Sequence, residues 1–203
     1  MKFPSLGVLV VLAAALFLTM ACSGDDNNKS SVTPVSNGSS GGTGQALKDY
    51  FQQLNTILTN WNDQSSQLKS QYPGAGSDPD QTRQYVSKFL PVTANALSDL
   101  KSLNAPSTVS DRHDKLVSVV EDLVAAETSL PNDVASINDA SGMKAYFAGR
   151  KSDFTAKAGL VNAACSDLQT VANNNNIVIA LPCGGPASPA PAPVSGSVTP
   201  QAS

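Results

Sequence analysis

The sequence predicts an all-α protein, an up-down-up-down four-helix bundle, and three observations lead to that class. Apolar residues recur every seven positions in long segments, in alternating steps of three and four, which is typical of helices that pack side by side as in a coiled coil. Proline and glycine divide these segments into four stretches of helix length. The connections between the stretches are short, which favours antiparallel neighbours.

The first helix is predicted over residues 45–72. An apolar series begins at Leu47 and repeats every seven residues to Leu68, with Trp61 among its members. A second series lies between its members, so the two form a continuous seam on one face. No proline or glycine interrupts the segment before Pro73.

The second helix carries its own start signal. Asp78 suits an N-cap, Pro79 suits the first helical position, and Gln81 completes a capping-box pattern. Pro91 lies inside the apolar pattern and is expected to kink or split the helix, because it removes a hydrogen bond and clashes with the preceding turn. The helix is expected to end before Pro106.

The third helix is predicted from residue 107 or 108 to Leu130, where Pro131 stops it. Val134 and Ile137 lie in a connecting segment that has the composition for one turn of helix. The fourth helix is predicted from residue 141 or 142 to about residue 173, where a run of asparagines tolerates the left-handed conformation that ends helices. Four helices therefore account for most of the apolar pattern.

The N-terminal segment has the features of a signal peptide. Residues 6–17 are apolar and have the length of a signal-peptide core, which is too short for a spanning helix. The run continues into Leu18-Thr19-Met20-Ala21-Cys22, followed at once by polar residues, and this pattern resembles the lipobox of bacterial lipoproteins. An ordinary cleaved secretory signal and an uncleaved N-terminal anchor are the alternatives.

The resemblance to bacterial lipoproteins covers the leader only, and it has consequences for the rest of the chain. It implies removal of residues 1–21 and acylation of Cys22 with palmitate-type chains, two anchors that together hold a protein on a bilayer. The predicted location is the cell membrane or the outer membrane, with the domain facing the periplasm or the exterior. Residues 22–44 are Ser-, Gly- and Asn-rich and are predicted to be a disordered tether.

The helical domain is then predicted over residues 45–183 and a disordered Pro/Ala/Ser tail over residues 184–203. With Cys22 used by the lipid, two of the three cysteines remain, and they allow one intramolecular pairing, Cys165 with Cys183. The short apolar run that precedes the second of them is predicted to be an extended strap, held to the last helix by this disulfide.

Two polar residues fall on core-facing positions of the third helix, His113 and Glu127. We interpret His113 as a partly buried histidine with local hydrogen bonds, because no nucleophile or second ligand accompanies it in the sequence. Glu127 has two interpretations. It could form a partly buried ion pair with Arg150, or both side chains could lie at the rim, which is the favoured interpretation.

Cofactor and catalytic motifs are not found in the sequence. It has no Cys-x-x-Cys-His motif for covalent haem, no phosphate-binding glycine loop opening a helix after a strand, and no nucleophile elbow. His113 and Met143 are expected about 30 Å apart at opposite ends of the bundle, so they could not share one haem iron. Trp61 could line a ligand pocket, although a core position is the favoured interpretation. We expect no cofactor, no metal and no enzymatic activity.

Composition also limits the partners. The formal net charge is −3, and lysine and arginine are scattered singly, so the clustered basic residues that bind phosphates are missing and no nucleic-acid partner is expected. The predicted function is a non-enzymatic interaction or structural module of the cell envelope, whose partners are the bilayer and an envelope protein. The alternative is a carrier or sensor that holds an apolar small molecule between its helices.

Overall fold

The computed structural model describes residues 43–184, most of which lie in helices. The helices are α1 (Thr43–Gln71), α2 (Pro79–Ser102), α3 (Ser110–Glu127), α4 (Leu130–Ala135) and α5 (Ala140–Asn174). The described range contains no strand, so the predicted all-α class is confirmed. The signal peptide, Cys22, nearly all of the tether and the Pro/Ala/Ser tail lie outside the described residues.

The start of α2 follows the predicted cap only in part. Asp78 caps the helix, and its side chain accepts a hydrogen bond from the Gln81 amide at 2.9 Å. The Gln81 side chain does not return a bond to Asp78, as a capping box requires, but accepts from the Gly74 amide at 2.8 Å. The Asp78 amide donates instead to the Gly74 carbonyl at 2.8 Å. The same residues thus close the loop between α1 and α2. Beyond this start, α2 is not split at Pro91, which lies exposed inside it.

The third helix ends earlier than predicted. α3 stops at Glu127, a turn follows, and α4 begins at Leu130 with Pro131 in its first turn. Pro131 has no amide to bond to the Glu127 carbonyl four residues earlier, so the break falls before the proline, whose fixed φ suits the start of the next helix. The expected turn of helix around Val134 is confirmed as α4.

α5 is the longest helix and has a polar residue at each end. Asp139 caps its start by accepting from the amides of Ser141 and Gly142, at 3.0 and 2.8 Å. Beyond its end, Asn176 has a φ of 55°, the left-handed conformation that asparagine tolerates better than most residues. The predicted asparagine stop is therefore confirmed, one residue later than expected.

The apolar seams meet in two clusters. The larger joins α1, α2, α3, α5 and the C-terminal segment, and the smaller joins α2, α4 and α5. On α1 the predicted seam is buried from Leu47 through Trp61, and Leu68 packs half-buried against the smaller cluster. Trp61 is 9% exposed, so its core position is confirmed.

The segment after α5 runs without regular secondary structure over residues 177–183 and packs against the larger cluster. Alternate side chains turn inward, and Val178 between them is 91% exposed. The Gln169 side chain fastens the backbone twice, since its Nε2 donates to the Ile179 carbonyl at 2.9 Å and its Oε1 accepts from the Leu181 amide at 2.6 Å. An amide side chain of α5 thereby satisfies backbone groups that a sheet would otherwise satisfy.

The predicted disulfide is confirmed. Cys165 on α5 is bonded to Cys183 at the end of the segment, with 5.3 Å between the two Cα atoms. The sequence separation is 18 residues, so the bond closes a short loop that contains the last turns of α5 and the strap.

Candidate functional site

His113 lies near the start of α3 and is only 5% exposed. Its Nδ1 is 3.1 Å from the hydroxyl of Tyr50 on α1, and the two rings meet edge to face. Burial lowers the pKa of His113, against the opposing effects of Asp114 and of the Leu100 carbonyl. In the tautomer with hydrogen on Nε2, the neutral ring accepts a hydrogen bond from the Tyr50 hydroxyl at Nδ1.

This contact corrects the interpretation of His113 as a locally bonded histidine. Its partner is 63 positions away in the sequence and belongs to another helix. Burial, with a smaller effect of Asp114, raises the pKa of Tyr50, so the phenol is a donor and not an anion. The Tyr50–His113 pair therefore fixes α1 against α3, and it lies among core side chains rather than in a cleft.

Glu127 is the last residue of α3 and is 3% exposed. One of its carboxyl oxygens, Oε2, has no hydrogen-bond partner, and neither has the hydroxyl of Thr93 on α2, although the hydroxyl lies next to the carboxyl and lowers its pKa. Burial has the larger and opposite effect, and the pKa of Glu127 rises to about 8. Burial and the neighbouring Glu127 likewise raise the pKa of Tyr85 on α2. Burial therefore favours the neutral acid form of Glu127.

Arg150 on α5 does not pair with Glu127. Its Nη2 donates to the Ala126 carbonyl at 3.0 Å, and its Nη1 is 3.3 Å from Asp133 Oδ2. The guanidinium also lies near two aromatic rings of α5, 5.3 Å from the centre of Phe154 in the closer case. The ion pair considered from the sequence is not formed, and the rim interpretation is wrong for Glu127, which is buried.

Asp133 on α4 is the centre of a second polar cluster that the sequence did not indicate. Its Oδ2 accepts from the hydroxyls of Tyr146 at 2.7 Å and Ser129 at 2.9 Å, in addition to the contact with Arg150. These partners, Tyr146 first, lower the pKa of Asp133. The spacing of Ser129 and Asp133 is a visible signal, but Tyr146 lies across a helix break that the sequence pattern places only roughly. The cluster joins α4 to α5.

His113 and Glu127, the two candidate polar residues, do not form one site. Both are buried on α3, as their core-facing positions indicated. They lie at opposite ends of the helix, roughly 20 Å apart along its axis at 1.5 Å per residue. His113 contacts the Tyr50 hydroxyl on α1, whereas Glu127 lies next to Thr93 on α2, so the two residues belong to separate places in the core.

A small cavity lies beside the disulfide, between α1 and α5. Its volume is about 20 Å³, which is room for one water molecule. Its walls are formed by Leu58, Trp61, Asn62, Ser65, Val161, Asn162, Cys165, Pro182 and Cys183. The buried Oδ1 of Asn62 has no hydrogen-bond partner in the protein, so a water here would have one acceptor to bind.

The part of the chain that the structure describes has neither a metal site nor a membrane-spanning helix. Residues 43–184 contain no group of three or more His, Cys, Asp or Glu side chains placed to hold a metal ion. No helix within the same range combines the length and the apolar character that crossing a bilayer requires.

Comparison with known proteins adds no family. No protein-family model, curated protein or solved structure matches the chain.

Proposed function

We propose that this chain is a lipid-anchored protein of the bacterial cell envelope that presents a non-enzymatic helical module for an interaction or structural role. Two features support the anchor and the compartment. The lipobox-like sequence ends at Cys22. The other two cysteines form a disulfide, a bond that persists outside the reducing cytosol. The pairing of Cys165 with Cys183 is the observation that carries the proposal, because it leaves Cys22 as the one cysteine free for a lipid.

We also propose that the four long helices form an up-down-up-down bundle in which α2 is kinked at Pro91. The packing of α1 on α2, α2 on α3 and α3 on α5 supports that order, and α1 and α5 both line the cavity beside the disulfide. Short α4 then belongs to the connection between α3 and α5. The kink is supported by chemistry, since Pro91 cannot donate to the carbonyl four residues earlier.

The absence of enzymatic activity remains part of the proposal, and the internal use of the buried polar groups supports it. His113 is hydrogen-bonded to Tyr50, and Arg150 is hydrogen-bonded to Asp133 and to the Ala126 carbonyl. Neither pair lines the cavity beside the disulfide. That cavity is far below the roughly 300 Å³ at which small-molecule pockets begin, so it gives the carrier alternative no support.

The anchor is tested by replacing the lipid-bearing cysteine. In cells given a labelled fatty acid, wild-type protein should carry label and sediment with membranes, whereas Cys22→Ala should lose both properties. The double variant Cys165→Ser/Cys183→Ser is the matched control, because it removes two thiols and leaves the leader intact. Label retained by Cys22→Ala would overturn the anchor.

The interaction role is tested by site-specific crosslinking in intact cells. Leu160 on α5 is 54% exposed and is a suitable position for a photoreactive residue, with the buried Leu168 of the same helix as the matched control. We expect a discrete covalent adduct from Leu160 and none from Leu168. If neither Leu160 nor further exposed positions on each of the five helices give an adduct, the interaction role is wrong.

A further inference from the structure

We propose that the disulfide between Cys165 and Cys183 is an exchange site for small thiols and that it reacts at one of its two sulfurs. The small thiol attaches to Cys183, at the end of the strap formed by residues 177–183, and Cys165 on α5 becomes a free thiol. The strap is then released with the small thiol bonded to it. The proposal goes beyond the interaction role and does not depend on the lipid anchor.

The reaction exchanges one disulfide for another. The thiolate of the small thiol forms a bond to Cys183 Sγ, and the bond between the two cysteine sulfurs breaks. The electron pair of that bond stays on Cys165 Sγ, which then takes up the proton that the small thiol gave to solvent. One thiol and one disulfide stand on each side of the reaction, so neither an oxidant nor a further reductant is consumed. Attack by Cys165 on Cys183 reverses the step and restores the bond.

The first argument is that the two cysteines differ in access. Cys165 is 3% exposed and lies on α5 among the side chains of the larger apolar cluster. Cys183 is half-buried at the end of the strap. The cavity beside the disulfide has room for one water molecule, so it is too small to admit a thiol compound to Cys165. Because access to the attacked sulfur is one of the factors that set the rate of exchange, a thiol in solution reaches Cys183 first.

The leaving sulfur has the opposite effect on the choice of site. A buried thiolate leaves less readily than an exposed one, which favours attack on Cys165 with Cys183 as the leaving group. This effect changes the rate only after the reacting sulfurs have met. A small thiol meets Cys165 only when the core around it opens, which is a rare event for a packed helix face. Access therefore decides which sulfur is attacked.

The second argument is how the strap is attached. It is hydrogen-bonded to α5 at its start and in its middle, through the Ile177 amide and the Gln169 side chain. At its end, the Cys183 amide donates to the Leu181 carbonyl within the strap itself, at 2.8 Å. In the described structure, the disulfide is therefore the one bond that ties this end to a helix. When exchange breaks that bond, the end of the strap is free to move out with the small thiol.

The site of attack is tested by locating the adduct in wild-type protein. Folded protein is mixed with glutathione, the reaction is stopped with acid at low conversion, and the peptides that contain each cysteine are identified by mass spectrometry. We expect about ten times more glutathione on Cys183 than on Cys165, because the two differ in access. Protein unfolded in urea is the matched control, since both sulfurs are open there and should carry similar amounts.

Release of the strap is tested on a stable form of the adduct. Cys165→Ser, loaded with glutathione on Cys183, cannot restore the disulfide. Hydrogen exchange over residues 177–183 should be about ten times faster in this protein than in the oxidised wild type. The centre of α1 should be equally protected in both proteins and serves as the internal reference.

Three results would overturn the proposal. Similar amounts of glutathione on the two cysteines of the folded protein, or more on Cys165, would contradict attack at Cys183. Adducts formed in urea but not in the folded protein would show that the folded disulfide is closed to thiols. Unchanged protection of the strap in the loaded variant would contradict its release. The first two results come from wild-type protein, so they remain decisive if the serine variant does not fold.

Discussion

At the scale of single residues, the hydrogen bond between Tyr50 and His113 links the core of α1 to the start of α3. Removing the phenol hydroxyl by Tyr50→Phe preserves the ring packing and leaves Nδ1 of a buried histidine unpaired. We expect the free energy of unfolding to fall by about 1–3 kcal/mol, the usual cost of a buried acceptor without a partner. Urea unfolding monitored by circular dichroism gives the value.

The matched control for this prediction is Tyr72→Phe. Tyr72 is half-buried beside the smaller cluster, and it loses the same atom. Its effect should stay within about 0.5 kcal/mol, as for most substitutions away from buried polar contacts. Equal losses in the two variants would show that the contact with His113 contributes nothing particular.

The titration of His113 gives a second residue-scale prediction. Burial lowers its pKa in the folded protein, so the folded state binds fewer protons than the unfolded state. Stability from this group is present above the unfolded pKa of about 6.5 and is lost as pH falls through the lower folded value. His113→Gln should therefore flatten the decline in unfolding free energy on the acid side of pH 6.5, measured by urea titrations across pH.

Glu127 changes the unfolding free energy in the opposite direction over part of the same pH range. The pKa of Glu127 is raised from 4.5 to about 8, so the folded state binds more protons in that window and stability falls as pH rises. The two slopes partly cancel between pH 4.5 and 6.5. We therefore expect the effect of His113→Gln on the pH dependence of the unfolding free energy to be clearest in protein that also carries Glu127→Gln. If His113→Gln leaves the pH dependence below about pH 6.5 unchanged in that protein, the lowered pKa of His113 is wrong.

For single residues, the sequence predicted which polar side chains are buried but not which residues they contact. The seven-residue series placed His113 and Glu127 on the core face of the third helix, and both are buried. Their contacts with Tyr50 and Thr93 depend on how three helices are rotated and shifted against one another, which a helical period does not contain. The cluster around Asp133 was missed for the same reason.

At the scale of elements, local chemistry explains several helix ends, although α3 and α4 begin without a side-chain cap. Asp78 and Asp139 cap the starts of α2 and α5 through side-chain oxygens, and the asparagine run ends α5. The exception is the end of α3, because Pro131 is both a helix stop and a favourable start for the next helix. Treating it as a stop alone extended the predicted third helix by three residues.

Replacement of Pro91 tests how this residue affects the shape and stability of α2. It lies inside α2 with its ring exposed, so Pro91→Ala removes no core packing and restores an amide that can bond to the carbonyl of Ser87. We expect the free energy of unfolding to rise by about 1–3 kcal/mol, since proline in a helix interior is about 3 kcal/mol less favourable than alanine. Lys88→Ala, at an exposed position of the same helix, is the control and should change stability little. A straighter α2 in the crystal structure of Pro91→Ala would support the kink, whereas an unchanged axis and stability would count against it.

At the scale of the whole molecule, each long helix packs against the next long helix in the chain, as short connections favour, while the strap depends on contacts distant in sequence. The short apolar run before Cys183 was predicted to be an extended strap held to the last helix by the disulfide. The sequence did not indicate that Gln169 would fasten it with two hydrogen bonds. Its inward side chains complete the larger apolar cluster, so the strap belongs to the fold of the domain.

The disulfide between Cys165 and Cys183 is expected to affect the stability of the whole domain. Cys165 and Cys183 are 18 residues apart, and in the chain-entropy model a loop of this size stabilises a protein by about 3 kcal/mol, by restricting the unfolded chain. Reduction should lower the unfolding free energy of the wild-type domain by about that amount and release the strap, as hydrogen exchange over residues 177–183 would show. The variant Cys165→Ser/Cys183→Ser should already have the lower stability and should not respond to reductant. If reductant leaves the wild type unchanged, the bond contributes no stability; if the serine variant responds equally, reductant acts elsewhere in the chain.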